Sequence, residues 1–236
     1  MDILIDDSVQ ALFPHLRIGI VVAQGITNSP TVPDLEQLKR EASARLRTAF
    51  TPETLQSHPN IVAWRETYRA FGAKPKEHRP TAEALMRRLL KGDEIPTINA
   101  AVDSYLVVET EYLLPIGGYD LDKVSGDVSL VRSPGGEPFI AIGKTQEELT
   151  DPGEIVYRDA ARVLTRRWNH RDADATKITV DSRNVALFVE AALPDIQTSE
   201  VEDSLARMAE YIGRFCGGSL SEHIVRAWEA SRLTLR

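Results

Sequence analysis

The sequence predicts an α+β fold, a β-rich centre flanked by helices rather than a repeating βαβ chain. Three observations carry this. Apolar residues recur at helical spacing through most of the first 113 residues. From Pro115 to Ala191 they fall instead into short runs separated by turn signals: IGGYD, SPGGE, TDPGE and HRDAD. After Pro194 the helical spacing returns.

In chain order, residues 16–23 (LRIGIVVA) are β-branched and apolar, with Gly25 just beyond, and read as a buried strand. Residues 34–49 place Leu35, Leu38, Ala42, Leu46 and Ala49 on one helical face, opened by Pro33-Asp34. A short turn at Thr51-Pro52-Glu53 precedes a helix from about His58 to Ala70. FGAKPKEHRP is a loop, and Thr81 is expected to cap a third helix ending at Lys91-Gly92-Asp93. Residues 97–113 read as a helix that frays towards strand-like sequence. Strands are expected at Asp127–Arg132, Pro138–Ile142, Ile155–Tyr157, Arg162–Arg167, Lys177–Val180 and Val185–Ala191. The segments SEVEDSLARMAEYIGRF and SLSEHIVRAWEASRL both read as amphipathic helices, the second capped by Ser219 or Ser221. No repeat or linker interrupts residues 1–236, so a single domain is expected.

Composition narrows the function. The formal net charge is −7, which opposes non-specific binding to nucleic acid but leaves room for a local basic face. No DNA partner is expected. No apolar run is long enough to span a membrane, and MDILIDDSVQ does not resemble a secretory signal. The lone Cys216 fits a reducing compartment, so a cytoplasmic location is expected, with Cys216 as buried filler. The five histidines, His15, His58, His78, His170 and His223, show no metal-ligand spacing, and neither a metal nor a cofactor is expected. Gly117-Gly118 and Gly135-Gly136 lack the strand and helix that a nucleotide-binding turn requires.

Two basic clusters stand out. Residues 74–91 hold six Lys or Arg against two Glu, and residues 158–171 hold five Arg against one Asp. Each is either a solvated face or a polyanion contact; the candidates for the latter are Lys74, Lys76, Arg79, Arg87, Arg88, Arg166 and Arg167. The string RRWNHRD, residues 166–172, admits two readings. As a strand it puts Arg167, Asn169 and Arg171 on one face and Arg166, Trp168 and His170 on the other. Either Trp168 is core and the arginines are solvated, or Asn169 and Arg171 line a pocket whose wall Trp168 supports. Glu190 is the one carboxylate in the apolar run NVALFVEAAL, either an edge residue in solvent or a buried group with a raised pKa.

Four segments in order give these residues a context. YRAFGAKPKEHRPTAEAL, LPIGGYDLDKVSGDVSLVRSPGGEPFIAIG, GEIVYRDAARVLTRRWNHRDADATKIT and SRNVALFVEAAL resemble a standalone relative of the B3/B4 editing module of bacterial phenylalanyl-tRNA synthetase β chains. The resemblance runs from about Tyr68 to Ala192, leaving a helical N-terminal cap and C-terminal helices outside the recognisable core (about 68–192). It implies a B3/B4-like fold, and hydrolysis of mischarged tRNA acting in trans without a metal. The family's acidic residue falls on Glu190 and its hydroxyl position on Ser182. Its asparagine and histidine positions are Leu106 and Gly117 here, and its glycine-rich turn is replaced by Arg166-Arg167-Trp168-Asn169. In that reading Glu190, Asn169 and Arg171 are the catalytic candidates. Asp103, Trp168, Ser182, Gly117 and Gly118 are the substrate-binding candidates, with Asp103 or Glu190 holding the substrate ammonium. The partner is the aminoacylated 3′ end of tRNA. Leu106 and Gly117 favour a rival, a module that binds tRNA or an amino acid without hydrolysis. A third reading is hydrolysis of another small amino-acid conjugate.

Overall fold

The computed structural model describes residues 1–235. Its centre is a four-stranded antiparallel sheet in the order β11-β2-β10-β3, comprising β2 (Arg17–Gln24), β3 (Ile116–Asp120), β10 (Asn184–Ala191) and β11 (Ser219–Arg226). A six-stranded sheet runs β12-β1-β4-β7-β8-β9, from β1 (Asp2–Ile5), β4 (Val128–Arg132), β7 (Ile155–Arg158), β8 (Val163–Arg166), β9 (Arg171–Asp172) and β12 (Arg232–Thr234). A small hairpin, β5 (Pro138–Phe139) with β6 (Glu148–Leu149), stands apart. The helices are α1 (Asp7–Leu12), α2 (Pro33–Ala49), α3 (Pro52–Gln56), α4 (Pro59–Ala70), α5 (Thr81–Leu89), α6 (Ala100–Tyr112) and α7 (Thr198–Cys216).

Strand β10 organises the core. It pairs with β2 over all eight of its residues and with β3 over five, and every residue after Asn184 is buried. That explains its almost unbroken apolar sequence: both of its faces are covered. Helix α6 is also buried nearly all round, so its apolar residues show little helical asymmetry. It does not fray; Leu113 ends it in the left-handed conformation, φ 54°.

Several sequence expectations are corrected. The segment 219–233 is not a helix: residues 219–226 form β11, which covers the free edge of β2. Leu220 and Ile224, four apart, share a face in a helix and in a strand alike, so the spacing does not choose, and the open edge of the apolar strand β2 selects the strand. Gly217 and Gly218, both at positive φ, turn the chain from α7 into it. The N-terminal residues are not a helical cap alone, since β1 and β2 belong to the two main sheets. Lys177–Val180 forms no strand and follows a 3-10 turn at Asp174–Thr176. Pro138–Ile142 shortens to two paired residues plus a bridge from Ala141 to Ala173. Thr81 does not cap α5; Pro80 holds the cap position, with no side-chain bond.

A cavity between two sheets

Strand register places the functional groups. Across β3 and β10, Gly117 lies opposite Phe188 and Tyr119 opposite Ala186. Alternation therefore puts Gly117, Tyr119, Phe188 and Glu190 on one face. In the six-stranded sheet Tyr157 pairs with Thr165 and Thr165 with Asp172, a row across three strands. The two sets meet around a cavity of about 110 Å³, closed by Tyr105 and Leu106 of α6, Thr81 of α5 and the loop Trp168–His170. Two bonds cross from sheet to sheet. Tyr157 donates to Glu190 Oε1, and the Tyr119 hydroxyl lies 2.6 Å from Thr165 Oγ1.

Glu190 is 3% exposed. Its Oε1 accepts from Tyr157 and from Trp168 Nε1 at 2.8 Å, whereas its Oε2 has only a long bond from Asn169 Nδ2, 3.4 Å. Burial pushes its pKa up to about 7, against the pull of these donors, and the charge on Asp172 adds to the rise. Asp172 accepts from Thr165 at 2.7 Å through Oδ1, and burial brings it to about 6. Neither carboxylate owes any part of its shift to a neighbouring cation. His170, also on the cavity wall, is held down at about 4 by burial and is neutral. Beneath, Glu109 is fully buried with no donor in bonding geometry to either oxygen, and burial drives its pKa well up. Among the described residues no three His, Cys, Asp or Glu side chains converge as metal ligands would.

The string RRWNHRD is a tight turn rather than a continuous strand. Arg167 and Trp168 both adopt left-handed backbone conformations, φ 46° and 67°, and the His170 amide bonds back to the Arg166 carbonyl at 3.1 Å. Each such residue costs on the order of 1–2 kcal/mol. The turn is held by what it buries. Trp168 is 0% exposed, packed edge-on against Trp64 and Phe13 at centroid distances of 5.4 and 4.9 Å. Asn169 Oδ1 accepts from the Tyr68 hydroxyl at 2.8 Å, so the Asn169 amide is aimed at Glu190.

The candidates from sequence divide. The structure brings Glu190, Asn169, Arg171, Trp168 and Gly117 together around the cavity. Gly118 lies on the opposite face, where a Cβ would fall 2.5 Å from Leu187 and 2.7 Å from the Ala186 carbonyl; it is a close-packing glycine. Ser182 is buried and donates to Asp120 at 2.6 Å, bracing the loop before β10 and not lining the cavity. Asp103 is clamped by Lys39 at 2.8 Å and by the Ile98 amide at 2.9 Å, a structural role near the start of α6. Arg166 is 3% exposed, bidentate to Glu154 at 2.8 and 2.9 Å, and Arg167 pairs with Asp151 at 2.7 Å. Neither is a free cation for phosphate. Asp172, Tyr157, Tyr119 and Thr165 were not among the candidates. Only the cross-strand register joins them, although Asp172 ends the very string that drew attention.

The other basic cluster stays open. Arg65, Arg69, Lys74, Lys76, Arg79 and Arg87 line a groove of about 560 Å³. Buried Glu83 anchors its floor, taking Arg65 in a bidentate pair at 2.6 and 2.7 Å, with Arg87 at 3.5 Å and Arg79 at 3.8 Å. Lys74 pairs with Glu77, Lys76 is exposed, and Arg88 pairs with Asp93 at 3.3 Å outside the groove. Groove and cavity share a wall: His170 Nδ1 lies 2.9 Å from the Arg79 carbonyl.

Comparison with known proteins then decides the family. The B3/4 domain model matches residues 63–217, well over half of the sequence. The chain belongs to the B3/4 domain family. No curated protein matches. Among solved structures, this B3/4 domain protein is similar to the N-terminal fragment of the phenylalanyl-tRNA synthetase β-subunit from Pyrococcus horikoshii, at 14% identity and a TM-score of 0.47. That match covers 92% of this chain and 49% of the other, so the chain spans about half the length of the fragment. The B3/4 match begins at Ala63 and ends at Gly217, leaving β1, β2, β11 and β12 outside it, although they complete both main sheets. No helix among the described residues is long and apolar enough to cross a membrane.

Proposed function

We propose that the protein is a trans-acting aminoacyl-tRNA deacylase, with Glu190 as general base. The observation that carries this reading is Glu190 itself: a carboxyl fixed by three donors, facing a cavity, with its pKa near 7 and its second oxygen nearly free. A base works best when its pKa is close to the operating pH. In the proposed step Glu190 takes a proton from water as the water oxygen bonds to the ester carbonyl carbon. The bond from that carbon to the ribose oxygen then breaks, and the proton passes to the ribose oxygen. The products are a free amino acid and an uncharged tRNA terminus. Arg171, exposed at the cavity wall, is the donor for the developing oxyanion or the terminal phosphate.

Size supports a division of labour. The cavity is well below the roughly 300–1,000 Å³ of pockets that take drug-sized ligands. Its size suits an aminoacyl group better than a whole nucleotide. The adjoining groove would hold the acceptor stem by phosphate contacts from Lys76, Arg79 and Arg87. The test is deacylation of a panel of correctly charged and mischarged tRNAs by wild type, Glu190→Gln and Asn169→Ala. Fast loss of at least one ester, abolished in Glu190→Gln, supports the reading; no ester decaying faster than its uncatalysed control sinks it.

One observation favours a binding module without hydrolysis. Leu106 and Gly117 put no hydrogen-bonding side chain at their positions on the cavity wall. That reading stands if tRNA binds with steep salt dependence while every ester survives. Binding of amino-acid conjugates without salt-sensitive RNA binding points instead to a small-molecule hydrolase.

A further inference from the structure

We propose that Asp172 seats the substrate's α-ammonium group, so that the cavity takes aminoacyl esters bearing a free amine and rejects N-acylated ones. The word ester rests on the deacylase reading; the ammonium seat does not.

The geometry assigns Asp172 a free oxygen. Its Oδ1 is committed to Thr165, which in turn meets Tyr119. Its Oδ2 has no hydrogen-bond donor among the described residues and lies 3.7 Å from where a Cβ on Gly117 would stand. The absence of a side chain at 117 therefore leaves open space directly against a carboxylate oxygen. A second, independent feature points the same way. Glu190 is almost wholly buried, yet its Oε2 has only the 3.4 Å contact with Asn169. Two carboxylates with under-used oxygens face one small cavity, and Arg171, the guanidinium on the same wall, pairs with neither. Glu190 is buried and Asp172 half-buried, and charges withdrawn from water are normally paired. The missing partner is a compact cation with several donors, which an ammonium provides. Tyr105, Tyr119 and Phe188 complete the wall with aromatic rings.

The arrangement also separates two roles. Asp172 sits on the six-stranded sheet and Glu190 on the four-stranded one, so an ammonium at Asp172 leaves the Glu190 oxygen for water. Acylating the amine removes its charge and adds bulk at the Gly117 wall, which costs affinity on both counts.

The experiment measures binding first, so that it does not depend on turnover. A full panel of proteinogenic amino-acid amides and their N-acetyl counterparts is titrated against tryptophan fluorescence, which Trp168 reports from the cavity wall. N-acetyl-lysinamide serves as a control for a cationic side chain. The expected result is saturable binding of one or more free-amine amides, about tenfold or more weaker for the N-acetyl forms. Asp172→Asn should abolish that preference, and Gly117→Ala should weaken free-amine binding while circular dichroism of both stays native. Binding of N-acetyl forms as tight as free amines, tight binding of N-acetyl-lysinamide, or no amide binding at all overturns the proposal. If esters are cleaved, the same preference must appear in KM for aminoacyl-tRNA over its N-acetyl form, and Asp172→Asn must erase it. If amides bind as expected but no ester is cleaved, the deacylase reading fails and the ammonium seat survives.

Discussion

The two basic segments look alike in sequence and end up opposite in the fold. Residues 158–171 carry five arginines, and the two at the turn, Arg166 and Arg167, are drawn inward by Glu148, Asp151 and Glu154. Residues 74–91 contribute Lys74, Lys76, Arg79 and Arg87 to a groove in which a single buried carboxylate, Glu83, meets three arginines. The difference is stoichiometric. Where folding delivers as many carboxylates as guanidiniums, the cations become structure; where it delivers one for three, positive charge is left over for a ligand. Counting charges along a segment misses this, because the acids that decide it come from elsewhere in the chain.

The sharpest way to break the comparison is Arg166→Ala. It leaves Glu154, itself 5% exposed, with only the 3.6 Å contact from Arg167, and should cost about 3 kcal/mol in urea unfolding, with the RNA affinity of the remaining folded protein unchanged. A drop in RNA affinity with stability intact would return Arg166 to the ligand-binding set.

Next comes the unpaired carboxylate. Glu190 titrates near 4.5 when unfolded and about 7 when folded, so the folded state binds the extra proton between those values. Stability should therefore be highest below pH 4.5 as far as this group is concerned, and fall by roughly 3 kcal/mol as pH rises to 7. Denaturation of Glu190→Gln across the same range should lack this component. Deacylation should instead rise through pH 7, since the base must be ionised.

Smaller effects should mark the groove. Lys76→Ala and Arg87→Ala should each weaken tRNA binding several-fold and reduce the salt slope by about 1, with little loss of stability. Smallest of all, Arg88→Ala breaks an exposed pair with Asp93 outside the groove and should change stability by less than about 0.5 kcal/mol in the same unfolding assay.

How much was legible follows from how local each signal is. Helices α2, α4, α5 and α7 were readable because a single apolar face shows within a few turns. Strand β10 was readable because both faces are buried. The end of the chain was not, since SLSEHIVR fits two periods and only the bare edge of β2 selects one. Glu190 announced itself as one carboxylate in an apolar run. Asp172 did not, because it follows three arginines in sequence, and only the fold shows the turn carrying two of them away to other acids. Tyr119, Tyr157 and Thr165 come from three separate short strands and mean nothing until those strands pair. Gly117 and Gly118 looked equivalent, and one step of the pleat divides a cavity wall from a packing contact.

The bonds from Tyr157 to Glu190 and from Tyr119 to Thr165 tie one sheet to the other through the cavity itself. The site is thus also a fastening. A guest that reorganises these hydroxyls must alter how readily the sheets part, and one that completes the unsatisfied oxygens must hold them shut. Amide hydrogen exchange along β8 and β10 should therefore slow together when the cavity is filled, making occupancy readable as joint backbone protection of one strand from each sheet.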